Sequence, residues 1–130
     1  MPAVTIAYPQ DFFTADQKTA FKMSVMQIVA TNMDAVNPIS GERTQYGKDP
    51  KAYIDLILVP YAKDDAAVTT PLVATIVTYV WPDRMADIGP RIESITNQVR
   101  ASLPPELVQE GQEIISFTFL GKELGAWCAA

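Results

Sequence analysis

The residues of this chain that could carry chemistry are narrowed first by an absence: it contains no histidine. That removes Ser-His-Asp and Cys-His nucleophile arrangements, and histidine-based zinc or iron sites with them. The single cysteine, Cys128, stands close to the C-terminal end. It can form no internal disulfide and reads as an inert thiol rather than a nucleophile. Neither a glycine-rich dinucleotide fingerprint nor a phosphate-cradling P-loop occurs. Carboxylates, lysines, arginines, tyrosines and a terminal amine are what remain, and no cofactor is expected. Pro2 then calls for a reason, because it directly precedes the strand-like run "AVTIAY". A proline there has no N–H for a ladder and fixes its own φ, so it contributes little to the strand it opens. On these residues alone, it is compatible with being merely the residue after a start codon.

Elements must hold any such residue in place, and composition limits what they can build. A chain of 130 residues that is 48% apolar is expected to make a single domain with a real core. Ten basic against fifteen acidic residues give a net charge of −5. This argues against nucleic-acid or anionic-membrane partners, both of which require a positive surface. No run approaches the roughly 20 apolar residues of a membrane span, and "MPAVTIAYPQ" lacks the pattern of a signal peptide, so a cytoplasmic location is expected.

Periodicity supplies the elements. Residues 3–8 form a β-branched and aromatic strand pattern. "TADQ" at Thr14–Gln17 has the capping-box form, and Phe21, Val25, Ile28 and Val29 then recur at helical spacing, predicting a helix to about Asn32. Met23, Met26 and Met33 read as core filler. A polar stretch of about seventeen residues follows, long enough to be functional or mobile. "AYIDLILVPY" (52–61) and "PLVATIVTYVW" (71–81) read as strands covered on both faces. Ile88, Ile92, Ile95, Val99 and Leu103 define a second helix, with Asp87 as its N-cap, Pro90 in its first turn and Pro104 and Pro105 beyond its end. "EIISFTFL" (113–120) is a last strand. The order is β-α-β twice, 1–62 and 71–130. The fold expected is therefore α+β: a four-stranded mixed sheet with two helices on one face of a single domain. The bare face of so apolar a sheet requires cover, most simply by further copies of the same chain.

At this point the chain resembles the tautomerase superfamily. "MP" before a strand and "FTADQK" match it in general. "YPQDFFT" and "VWPDRMADI" resemble its cis-3-chloroacrylic acid dehalogenase branch, and "GKDPKAYIDLILVP" with "LGAW" resembles its macrophage migration inhibitory factor branch. The resemblance implies a homotrimer in which removal of Met1 turns Pro2 into a free secondary amine at a pocket. An α-amine titrates near ~8, and burial among apolar and cationic groups lowers it, so Pro2 could take a proton from carbon or return one near neutral pH.

The resemblance also implies a small 2-oxo or unsaturated carboxylate as substrate, held by Arg84 and Lys48, with Arg43 in reserve. Trp81, Phe117, Phe119 and Trp127 would supply an apolar wall. Departures accompany it: Trp81 stands where the dehalogenase branch carries the first of two arginines, Phe13 replaces the arginine before the first helix, and an apolar residue near Val29 replaces a histidine. The activity expected is enol–keto proton transfer. A lyase (hydratase, dehalogenase or decarboxylase) relying on Asp55, Asp83 or Glu123, or a non-catalytic scaffold with its amine blocked, are the alternatives.

Overall fold

The computed structural model describes residues 2–62, 71–108 and 113–122. Strand β1 (Ala3–Pro9) leads to helix α1 (Ala15–Met33), a 3₁₀ turn at Tyr46–Lys48, the short helix α2 (Pro50–Tyr53) and strand β2 (Asp55–Tyr61). The second half runs through β3 (Leu72–Tyr79), the short helix α3 (Pro82–Met85), α4 (Ile88–Ser102), a 3₁₀ turn at Pro105–Leu107 and β4 (Ile115–Lys122). The sheet order is β2-β1-β3-β4. The outer strands run parallel to their inner neighbours, and β1 is antiparallel to β3. This is the expected four-stranded mixed sheet. Its two β-α-β units are related by a local two-fold axis between β1 and β3.

Sequence and structure agree closely in α1. Thr14 Oγ1 accepts the Gln17 amide at 3.2 Å, and Gln17 Oε1 accepts the Thr14 amide at 3.0 Å, so both halves of the capping box form. Phe21, Val25, Met26, Val29 and Met33 line the buried side. Helix α4 adds Ile95 and Val99, and the two helices pack against each other on one face of the sheet. There they meet Val4, Ile6, Leu72, Ala74, Ile76 and Ile115. Each fully buried aliphatic side chain contributes about 1.5–3 kcal/mol.

Several local expectations are corrected. Met23 is 55% exposed rather than core. Strand β2 starts at Asp55, because Pro50 opens the short α2 instead of Ala52 opening a strand. Asp87 offers no cap to α4, since its carboxylate accepts Arg91 Nε at 2.7 Å. The long polar stretch is an ordered clasp. Asp34 Oδ1 accepts from Thr44 Oγ1 at 2.7 Å and from the Tyr46 amide at 2.8 Å, while Val36 and Arg43 form an antiparallel bridge.

The opposite sheet face carries no helix. Register puts Ile57, Thr5, Thr75 and Thr118 in one row there, and Asp55, Ala3, Val77 and Leu120 in another. Ile57 is 59% and Leu120 52% exposed, and Val59 and Val73 stand open beside them. The strands are thus covered on one face, not both, within one chain. Among the described residues no helix is long and apolar enough to cross a membrane.

Candidate active site

Pro2 is buried at the head of β1, where its carbonyl accepts the Asp55 amide at 3.1 Å. Ala3 pairs with Asp55 on one side and Val77 on the other, so one step back Pro2 lies level with Ile54 and Thr78. Thr78 is almost wholly buried, and its hydroxyl oxygen accepts Arg84 Nη1 at 2.9 Å. Arg84 is thereby bonded to the residue of β3 that lies level with the head of β1.

Local sequence explains how Arg84 arrives there. Trp81 precedes a proline and is held extended, with φ −65° and ψ 139°. Pro82 then opens α3 at a position where its missing N–H costs nothing. The single turn folds the chain back, so that Arg84 comes beneath the end of the strand it has just left and is 1% exposed. Nε and Nη2 donate to the Met33 carbonyl at 3.1 and 2.8 Å, and Nη1 also donates to the Tyr79 carbonyl at 3.0 Å. Four of the five N–H donors of a guanidinium are therefore spent on protein oxygens. Burial pushes the Arg84 pKa below its ordinary value. The Tyr46 hydroxyl opposes this, the Arg91 charge adds to it, and the Asp34 carboxylate opposes it again. An arginine remains a cation under all these influences. Arg84 is thus a fixed buried positive charge, with its fork turned onto the protein.

Trp81 is packed against that charge. The guanidinium carbon lies 4.7 Å from the centre of the Trp81 ring, and the Tyr79 ring lies parallel to it at 6.3 Å. Trp81 is 8% exposed, and its Nε1 is a buried polar side-chain atom with no hydrogen-bond partner among the described residues. An unpaired buried donor costs about 1–3 kcal/mol, so such an atom needs an explanation.

The other expected site residues are not gathered here. Lys48 closes the 3₁₀ turn with its side chain exposed, and among the described residues no hydrogen bond or ion pair ties it to Arg84 or Trp81. Phe117 is level with Ala74 and Ile6, three rows from Ala3, and packs against the core. Phe119, level with Val4, is nearer the head of β1. Trp127, Met1, Glu123 and Cys128 lie outside the described residues. Arg43 sits 3.4 Å from the Asp83 carboxylate, an exposed pair of little energetic weight. Asp83 also accepts the Val36 amide at 2.8 Å, pinning the clasp to α3. Sequence reasoning missed Thr78, which was visible as a polar residue in an apolar strand. It also missed Tyr46 and Asp34, for which no local signal exists.

No family model matches the sequence, and no curated protein does either. Solved structures do match. A fused 4-OT solved as an asymmetric trimer is 10% identical with a TM-score of 0.61, over 93% of this chain and 86% of the other. A macrophage migration inhibitory factor-like protein from Entamoeba histolytica is 13% identical with a TM-score of 0.53, over 92% and 89%. A malonate semialdehyde decarboxylase inhibited by 3-bromopropiolate is 15% identical with a TM-score of 0.54, over 92% and 83%. The chain shares the fold of these structures, the architecture that its resemblance to the tautomerase superfamily implies.

The shared fold accounts for nearly the whole chain, and its two β-α-β units create two comparable places. One lies at the end of β3 and the start of α4, where Arg84 packs on Trp81 and bonds Thr78, the residue level with Pro2. The other lies at the end of β1 and the start of α1. A cavity of about 440 Å³ occupies this second place, lined among others by Tyr8, Asp11, Phe13 and Lys18. It is separated from Pro2 by the length of β1, roughly 20 Å at ~3.3 Å per residue.

Proposed function

We propose that the protein, once Met1 is removed, is a homotrimeric tautomerase that ketonises the enol of a small 2-oxo acid. The observation that carries this reading is the pairing of a buried cation, Arg84, bonded to the residue level with Pro2, with a buried indole N–H on Trp81 that has no partner among the described residues. Pro2, as a neutral secondary amine, takes the enol hydroxyl proton while the carbonyl forms, and returns a proton from its ring N–H to carbon. The proton moves from oxygen to carbon and the amine is regenerated. Developing negative charge on the enolate lies in the field of Arg84. The Trp81 N–H donates to a substrate oxygen, and the indole face supports its unsaturated body. Lys48, two residues beyond the Tyr46 that acts on Arg84, is the proposed second cation for the carboxylate. Phe117 and Trp127 remain proposed wall residues supplied within the assembly. The trimer is supported by the open sheet face and by the trimer named for the fused 4-OT.

A lyase reading requires a carboxylate free to work beside the proline. Asp83 is already engaged with the Val36 amide and Arg43. Asp55 points with Ala3 to the open face of the sheet. Proton transfer alone needs neither.

The test is the ketonisation of phenylenolpyruvate by protein whose intact mass shows loss of one methionine, alongside a version that retains it. The processed protein should accelerate the reaction and the retained form should not, because its Pro2 nitrogen is a tertiary amide. Equal rates would overturn the proposal. Turnover of 3-haloacrylates or malonate semialdehyde instead would select the lyase alternative. Trp81→Phe keeps a ring and removes only the donor, so KM should rise roughly tenfold, in line with losing one hydrogen bond to a charged group. An unchanged KM would take Trp81 out of the site.

A further inference from the structure

The cavity at the far end of β1 shares no residue with the Pro2 site. Three features of it bear on a ligand. Lys18 projects over the Tyr8 ring, its Nζ 5.6 Å from the centroid, and no carboxylate among the described residues pairs with it. Asp11 lines the same cavity with a carboxylate that likewise has no partner among the described residues, on a backbone held at φ +63°. Phe13 lines the same cavity, braced by stacking on Phe21 at 4.8 Å and an edge contact with Phe12 at 4.9 Å, while remaining partly exposed.

Opposite charges that line one cavity without meeting, beside a fixed aromatic surface, define a complementary molecule. A simple carboxylate would be attracted by Lys18 and repelled by Asp11, and a simple amine the reverse. A zwitterion satisfies both, and an apolar or aromatic body satisfies the Phe13 ring that shares the cavity. We propose that this cavity binds an aromatic α-amino acid, with its carboxylate toward Lys18, its ammonium toward Asp11 and its side chain on Phe13. The volume of about 440 Å³ is within the range of small-molecule sites. By the local two-fold this is the counterpart of the Pro2 site. Here the strand head that corresponds to Pro2 is that of β3, where Leu72 follows Pro71 in mid-chain, so no terminal amine is available, and the place can bind without turning its ligand over. The inference does not depend on Pro2 being catalytic.

The experiment is a titration of the full-length protein with L-phenylalanine, followed by amide resonances of isotopically labelled protein. Saturable shifts should appear at Asp11, Ala15 and Lys18, with a Kd on the order of 1 mM. Lys18→Gln and Asp11→Asn should each weaken binding by roughly fivefold, as expected for exposed charge contacts, while leaving amides elsewhere unmoved. Phenylacetate and phenethylamine, each lacking one charge, should shift the same amides at least about fivefold more weakly. The proposal is overturned if these amides do not move at about 10 mM ligand, if the shifts fall around Trp81 and Arg84 instead, or if phenylacetate matches the amino acid.

Discussion

Replacing Pro2 with alanine is expected to lower kcat/KM for ketonisation by roughly 10²-fold or more, the scale of a positioned general base. The fold should persist, because the contact Pro2 makes with the sheet is through its carbonyl, which alanine retains. The loss has a particular origin. After methionine removal, alanine also presents an amine, but a primary one whose chain end can rotate, whereas the pyrrolidine ring fixes φ and with it the direction of the lone pair. Retention of Met1 should be the more severe change, since it removes basicity altogether. A pH profile separates the two. The base must be neutral to act, so kcat/KM should be full above the amine pKa and fall as the pH drops through it. With Arg84 buried nearby, that limb should lie below the ordinary α-amine value of roughly 8. A profile flat from acid to neutral pH, or a Pro2→Ala protein as active as its parent, would remove the amine from the mechanism.

How far this was legible in the residues varies with the range of the interactions involved. Helix α1 was readable almost to the residue, because its cap, its apolar stripe and its end are all set within a few positions. Met23 could have been placed correctly by the same logic: two residues after Phe21 is about 200° around a helix, hence the outer face. Asp87 has the residue type of a cap, yet Arg91 one turn later competes for its carboxylate and takes it. Pro50 was itself a helix-start signal, overridden by the apolar run that follows. The clasp was illegible because it is written in pairs remote from one another: Asp34 with Thr44 and Tyr46, and Asp83 with Val36. Phe117 shows the limit of period-two reasoning. Alternation gives its face of the sheet, but only the register of β4 on β3 gives its distance from Pro2. Arg84 was found as a cation near the site, while its burial and the direction of its fork depend on the Met33 carbonyl, 51 residues away.

That last contact makes Arg84 the most exacting position in the protein. Arg84→Met is expected to destabilise the fold by about 3–5 kcal/mol, the range found when one partner of a buried charged hydrogen-bond network is removed. Methionine fills the aliphatic space but donates nothing, so the carbonyls of Met33 and Tyr79 and the Thr78 hydroxyl lose their donors where water does not replace them. For a chain of this length, a loss of that size corresponds to a fall in Tm of about 11–18 °C. Arg84→Lys keeps the charge but offers one ammonium to acceptors arranged for a planar fork, so it should recover only part of the loss. The charge and the fork can thus be told apart. If Arg84→Lys restores the acid limb of the pH profile but not Tm, the cation tunes the amine through space while its hydrogen bonds hold the end of β3 to the end of α1. A Tm unchanged in Arg84→Met would mean that the buried guanidinium anchors nothing, and the link between the strand head and the charge would fail with it.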